Sequence, residues 1–124
     1  MIAVDSCVVI DLLEDEDTPE VERLATLLAA SGALLAPVTV TELLSAPRPY
    51  AALHDILPSF FLLHLADGYW ERTGALRAKV LKAGRKAALG DALIAQACID
   101  NDVPLLTRDT DFAAFAKIGG LKLA

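Results

Sequence analysis

Cysteine is scarce in this chain, which has only Cys7 and Cys98 among its 124 residues. With no second pair and no CxxC motif, the two thiols provide no disulfide framework. Both lie among apolar residues. Free cysteine is often buried in such surroundings, so we predict two reduced thiols that pack in the core.

Long hydrophobic runs are also absent. No apolar run approaches the ~20 residues of a membrane-spanning helix, although 55% of the residues are hydrophobic. The first residues read as a strand and carry Asp5 and Asp11, whereas a signal peptide begins with basic residues and has a longer apolar core. We therefore expect a cytoplasmic protein with no membrane span, and the length suits one domain over residues 1–124.

The net charge is −6, and the charges are unevenly distributed. A negative protein does not bind nucleic acid over its whole surface, but a metal-binding group of carboxylates would itself contribute to this charge. Acidic residues crowd residues 11–22, which we expect to be a solvated loop and helix start. Basic residues crowd residues 72–86. They form either a solvated helix face or a contact for phosphate groups.

Apolar segments of strand length alternate with segments of helical periodicity. Strands are predicted at residues 1–5, 33–36, 60–65, 105–107 and 121–123. Helices are predicted at residues 6–13, from 19 to the Ser-Gly pair at 31–32, and at 39–45, 50–57, 67–83, 91–100 and 112–116. This alternation predicts an α/β fold, with a central, mainly parallel sheet of about four to five short strands flanked by helices on both faces.

Four acidic residues stand just past separate apolar stretches: Asp5, Glu42, Asp91 and Asp109. The first and last follow predicted strands, and the other two open predicted helices. Ligands of parallel sheets bind at the carboxyl ends of the strands, so we expect the four to share one edge. Carboxylates repel one another when gathered, and a hard cation such as Mg²⁺ is the natural reason to gather them. The pattern points to metal-dependent phosphodiester chemistry.

Most of these acids also have a purely structural explanation. Glu42 fits a capping box that begins at Thr39. Asp91 opens a helix, where an acid is favoured by the helix dipole. Asp109 or Asp111 suits the cap of the helix that follows. The acid after the first strand has the fewest such explanations.

The local contexts of the acids are Val-Asp-Ser, Thr-Glu-Leu, Asp-Ala-Leu-Ile-Ala and Thr-Arg-Asp-Thr-Asp-Phe. Over essentially the whole chain they resemble the PIN-domain nucleases, and more closely the VapC toxins of toxin–antitoxin pairs. The resemblance implies catalytic ligands of Mg²⁺ or Mn²⁺ at Asp5, Glu42, Asp91 and Asp109. Ser6 and Thr107 match supporting hydroxyl positions, and Asp111 is a second candidate for the fourth acid.

The same resemblance implies an endoribonuclease that hydrolyses RNA phosphodiesters and leaves a 5′-phosphate and a 3′-hydroxyl. It also implies inhibition by a cognate VapB-type antitoxin and assembly as a homodimer. The candidates for contacts with RNA phosphates are Lys82, Arg85, Lys86 and Arg108; a salt bridge is the alternative role of Arg108. His54 and His64 lie far from every acidic motif, and His64 falls in a predicted core strand.

Two other functions are compatible with a small α/β fold of this kind. A receiver domain that accepts a phosphoryl group needs adjacent acids after its first strand, whereas Asp5 is followed by Ser6 and Cys7. A catalytically silent PIN fold would act only as a binding scaffold. Loss of activity on neutralising Asp5 or Asp91 would distinguish an enzyme from a scaffold.

Overall fold

Four short parallel strands form the centre of the protein. The computed structural model describes all 124 residues. The strands are β1 (Ile2–Val4), β2 (Ala33–Leu35), β3 (Phe61–Leu62) and β4 (Leu105–Leu106). Their order in the sheet is β3-β2-β1-β4. From β1 the chain adds β2 and then β3 on one side of β1, and it later adds β4 on the other side. The strand order therefore reverses between β1 and β4, which makes this junction the topological switch point.

Helices cover both faces of this sheet. They are α1 (Ser6–Leu13), α2 (Pro19–Ala29), α3 (Pro37–Leu44), α4 (Leu53–Ile56), α5 (Tyr69–Lys82), α6 (Leu89–Asp100) and α7 (Phe112–Gly119), with a 3₁₀ turn at Leu57–Ser59. The predicted α/β fold with a parallel sheet is confirmed. No helix has the length and apolar character to span a membrane.

The strands support two separate cores because their side chains alternate between faces. Ala3, Leu34 and Leu105 belong to the core under α5, α6 and α7. Their neighbours along the strands, at positions 4, 35 and 106, belong to the core under α1, α2 and α3. Strands β1, β2 and β4 are almost wholly buried, as expected for strands covered on both faces.

Helix α3 begins two residues earlier than predicted. Pro37 takes the first helical position, for which its fixed φ suits it. Thr39 is therefore inside the helix and fully buried, and its hydroxyl has no hydrogen-bond partner. The capping-box explanation of Glu42 is consequently wrong. Helix α2 starts as predicted, with the Thr18 hydroxyl accepting the Val21 amide at 3.1 Å.

The third strand is much shorter than its apolar sequence predicts. It pairs only with β2 and forms an edge of the sheet, so Phe61 and Leu62 are more than half exposed. His64 lies beyond the strand and is exposed, and its predicted core position is wrong. The predicted last strand at 121–123 is reduced to a single bridge between Leu105 and Leu123.

Three predicted helices have different lengths. The helix expected at 50–57 is one turn of α4 followed by the 3₁₀ turn that contains Pro58. Helix α6 begins at Leu89, before the predicted start. Helix α7 continues past residue 116 to Gly119, and Gly120 follows it with a φ of 80°, the left-handed conformation of a helix terminus.

The two cysteines differ from each other. Cys98 is fully buried, as predicted, and burial raises the pKa of its thiol to about 12. Cys7, in the first turn of α1, is also a free thiol and packs against the core under α1, α2 and α3, but it is only half-buried and therefore more exposed than predicted.

Candidate metal centre

The carboxylate of Asp5 is held at the carboxyl end of β1 on both of its oxygens. Its Oδ1 accepts the Ser6 amide at 2.8 Å, which caps α1. Its Oδ2 accepts the Thr107 hydroxyl at 2.7 Å and the Cys7 thiol at 3.3 Å. Asp5 is only 5% exposed. A carboxylate bonded in this way keeps one orientation, which pre-positions it for a ligand.

Thr107 connects the ends of β1 and β4. Besides donating to Asp5, its hydroxyl accepts the amide of Asp109 at 2.9 Å. The Oδ1 of Asp109 in turn accepts the amide of Asp111 at 2.9 Å, an Asx turn that orients the loop before α7. The hydroxyl of Thr107, one of the two predicted supporting residues, is therefore in direct contact with an acid. For Ser6 the contact runs through the backbone amide instead of the hydroxyl.

Three aspartates converge in front of this loop. One carboxylate oxygen from each of Asp91, Asp109 and Asp111 lies within 4.8 Å of the other two. We call these three residues the acidic cluster. Asp91 comes from the first turn of α6, and the other two come from the segment between β4 and α7. Both candidates for the fourth acid thus belong to the same group.

Glu42 reaches the same edge of the sheet from α3. Its Oε1 is buried and has no hydrogen-bond partner, a costly state for a carboxylate. Its Oε2 faces Gly90, where an added Cβ would lie only 3.4 Å away. Burial, followed by the charges of Asp5 and Asp91, raises the pKa of Glu42. A cation at this edge would give the orphaned oxygen a partner.

The carboxylates interact electrostatically across the whole edge. Burial raises the pKa of Asp91 from 3.8 to about 6, assisted by the charges of Asp109, Asp5 and Asp111. Burial and the charge of Asp5 also raise the pKa of Cys7, which keeps its thiol protonated as a donor. Unscreened carboxylates oppose one another here, and their oxygens are the ligands that Mg²⁺ and Mn²⁺ prefer. The residues present therefore fit a divalent cation.

Residues 2–118 match the PIN domain family, and the match includes Glu42, Asp5 and the acidic cluster. The chain belongs to the PIN domain family. No curated protein matches it at the level of sequence.

Solved structures share this PIN fold at low sequence identity. VapBC2 from Rickettsia felis, bound to a promoter DNA fragment, is 18% identical with a TM-score of 0.79, over 100% of this chain and 98% of that chain. VapBC from Salmonella typhimurium is 18% identical with a TM-score of 0.77, over 100% and 98%. FitAcB from Neisseria gonorrhoeae is 21% identical with a TM-score of 0.75, over 99% and 96%.

Arg108 of this PIN domain is engaged away from the acidic cluster. Its Nε and Nη2 donate to the two carboxylate oxygens of Asp11 at 2.5 and 2.9 Å. Asp11 is only 8% exposed, so its predicted place in a solvated acidic run is wrong. The salt-bridge alternative for Arg108 is the one present. The pairing of Arg108 with Asp11 was not predicted, and its one signal in the sequence is an acid inside the apolar run of α1.

The basic segment between α5 and α6 reaches the metal centre through one residue. The ammonium of Lys86 lies 3.1 Å from Oδ2 of Asp111. Its pKa is raised by that hydrogen bond and then by the charges of Asp111, Asp109 and Asp91. Arg85 is exposed beside it, and Lys82 is the exposed last residue of α5. His54 and His64 are exposed and contact none of these acids.

Proposed function

We propose that this PIN domain is a metal-dependent endoribonuclease that hydrolyses RNA phosphodiesters as the toxin of a type II toxin–antitoxin pair. The observation that carries the proposal is the buried, unpartnered Oε1 of Glu42 beside a group of mutually repelling carboxylates at the switch point of the sheet. A fold gains nothing from this arrangement unless a cation binds there.

The proposed ligands of Mg²⁺ or Mn²⁺ are Asp5, Glu42, Asp91 and Asp109, with Asp111 as a further oxygen donor. When bound, such an ion lowers the pKa of its water and offsets the charge that builds on the scissile phosphate. The protein's part is orientation. Thr107 and the Ser6 amide hold Asp5, and the Asx turn holds Asp109, so the carboxylates need little rearrangement.

RNA is the proposed substrate, and the proposed products carry a 5′-phosphate and a 3′-hydroxyl. Attack of water on the phosphorus, with the 3′-oxygen as the leaving group, gives these ends. Neither histidine lies at the metal centre, so the carboxylates are the groups there that can accept a proton from water.

A VapB-type antitoxin is the proposed partner, and a homodimer in the cytoplasm is the proposed state of the toxin. The VapBC2, VapBC and FitAcB structures support the first part by their fold. An inhibitor that neutralises the acidic edge needs a basic side chain, since Asp5, Glu42 and the acidic cluster all meet there. Exposed apolar residues such as Leu44 on α3 offer surface for either contact.

Cleavage of total RNA by the purified, antitoxin-free protein tests the proposal. We expect fragments with Mg²⁺ or Mn²⁺ and none with EDTA. Asp5→Asn should abolish cleavage, whereas Asp55→Asn, the same change at an exposed residue of α4, should not. Equal fragments from the native protein and Asp5→Asn would assign the activity to a contaminant. A folded native protein that never cleaves RNA with either metal would favour the catalytically silent scaffold.

A further inference from the structure

A cleft of about 380 Å³ adjoins the acidic cluster at the first turn of α7. It is lined by Arg85, Lys86, Thr110, Asp111, Ala113 and Ala114. Asp111 belongs both to this cleft and to the acidic cluster. A group bound in the cleft would therefore lie directly beside the proposed metal ligands.

The two cations of the cleft stand on a loop whose backbone is fixed on both sides. Gly84 ends α5 in the left-handed conformation, with φ of 75°, and the Arg85 amide donates back to the carbonyl of Val80 at 3.2 Å. On the other side, Nε of Arg77 donates to the carbonyl of Ala87 at 2.8 Å. These bonds hold the loop in place although its basic side chains are exposed. Its position beside α7 is thus part of the fold.

The opposite wall of the cleft suits an anion. It consists of the Thr110 hydroxyl and the small side chains of Ala113 and Ala114, which leave room to approach the first turn of α7. Negative charge is favoured at that end of a helix. A hydroxyl donor, a guanidinium and an ammonium around one cleft are the groups that bind phosphate oxygens.

Asp111 is the one anion in the cleft, and Lys86 neutralises it at 3.1 Å. A carboxylate that is shared with a divalent cation no longer needs this ammonium. Lys86 would then be able to turn from Asp111 to a phosphate without leaving an unpaired charge. The ammonium that balances the charge of the acidic cluster thereby becomes available to bind the substrate.

We propose that the cleft between Arg85, Lys86 and the start of α7 binds the phosphodiester next to the one that is cleaved. This inference rests on the proposed function, because it takes RNA as the substrate. A protein with a net charge of −6 must bind a polyanion through local cations, and this cleft places two of them beside the acids. The protein would then need at least two successive phosphates in its substrate.

Fluorescence anisotropy with a labelled single-stranded oligoribonucleotide tests the cleft, with Ca²⁺ in place of Mg²⁺ so that the RNA stays intact. The variant Arg85→Ala/Lys86→Ala should bind at least about tenfold more weakly, and the slope of log K against log salt should fall by about 0.7 for each phosphate that the variant no longer neutralises. The control Arg23→Ala/Lys79→Ala removes the same charge from exposed positions of α2 and α5 outside the cleft. It should change neither quantity. Equal losses in the two double variants would overturn the proposal.

A series of oligoribonucleotides of increasing length tests the cleft separately from the nuclease activity. The native protein should bind an oligoribonucleotide with two phosphodiesters more tightly than one with a single phosphodiester, and only when the second is added on one particular side of the first. The Arg85→Ala/Lys86→Ala variant should show no such gain in affinity. Absence of this step in the native protein overturns the cleft, even if RNA is cleaved with Mn²⁺. A step without any cleavage supports the cleft and instead overturns the proposed function. Melting curves of all variants with Ca²⁺ bound should lie close to the native curve, because the substituted side chains are exposed and an exposed ion pair such as Lys86–Asp111 contributes little to stability.

Discussion

Neutralising Asp91 should make the metal-free protein more stable at pH 8. Its pKa rises from 3.8 to about 6 in the folded state, first through burial and then through the neighbouring carboxylates. A rise of about two pH units corresponds to ~3 kcal/mol at most. Asp91 is only half-buried, and solvent screening reduces the cost to ~1–2 kcal/mol. Asp91→Asn should therefore raise the free energy of unfolding by that amount in EDTA.

The pH dependence follows from the sign of the pKa change. Between pH 3.8 and about 6 the folded state holds more protons on Asp91 than the unfolded chain does. The free energy of unfolding consequently falls as the pH rises through this window, and the cost is complete above it. Native protein and Asp91→Asn should thus converge near pH 4 and differ most at pH 8.

Urea denaturation of both proteins at pH 4 and pH 8, each with EDTA or Mn²⁺, measures these differences. Millimolar Mn²⁺ should stabilise the native protein at pH 8, by about 2.7 kcal/mol where its concentration is 100 times the dissociation constant. Asp91→Asn should lose most of this gain. Asp55→Asn, on the exposed face of α4, should follow the native protein throughout. If Asp91→Asn is no more stable than native protein in EDTA at pH 8, the carboxylates do not repel one another as inferred.

Three further predictions test the supports of the metal centre. Gly90→Ala should weaken Mn²⁺ binding slightly, because its Cβ would lie in van der Waals contact with Oε2 of Glu42, 3.4 Å away, and would limit the movement of that carboxylate towards an ion. Gly74→Ala, whose Cβ would meet nothing within 4 Å, should only stabilise α5 by ~0.5–1 kcal/mol. Thermal shifts with and without Mn²⁺ separate the two effects. Thr107→Val removes two hydrogen bonds, so it should lower the free energy of unfolding in urea by ~1–2 kcal/mol and also lower the affinity for Mn²⁺. Thr107→Ser keeps the hydroxyl and should restore both the stability and the affinity. A Thr107→Val protein with unchanged stability and affinity would contradict this prediction. Arg108→Ala should lower Tm by several degrees, because it leaves the buried Asp11 unpaired. Arg48→Ala should leave Tm unchanged, because its 3.6 Å ion pair with Glu14 is exposed. Similar melting curves for the two variants would refute this difference.

The main features of the fold were predictable from local patterns. Apolar strands that alternate with amphipathic helices predicted the parallel sheet. Successive side chains of β1, β2 and β4 point to opposite faces of this sheet, and they form the two cores. Thr18-Pro19 predicted the start of α2, since a cap and a proline act within one turn. The predicted lengths were wrong for elements whose length depends on contacts between distant parts of the chain. The apolar run at 60–65 became a two-residue edge strand because only β2 is available to pair with it.

The convergence of the acids on one edge was predictable, but their surroundings were not. A strand that ends in an acid predicts its place at the carboxyl edge, as for Asp5 and Asp109. The partners of these acids come from distant parts of the chain, with Thr107 donating to a carboxylate 102 residues earlier. The pair of exposed Arg108 with buried Asp11 likewise joins residues 97 apart, and neither residue signals the other in the sequence.

The sequence by itself determined the α/β class, the parallel sheet and the acids that end its strands, because periodicity and strand-end chemistry are local properties of the chain. Only the tertiary structure decided which carboxylates share the acidic cluster, which oxygen of Glu42 is left without a partner, and that Lys86 faces Asp111 while Arg108 does not. Those outcomes depend on how β4, α3, α6 and the loop before α6 are packed around β1. Charge balance and burial are set by that packing, so no local pattern encodes them.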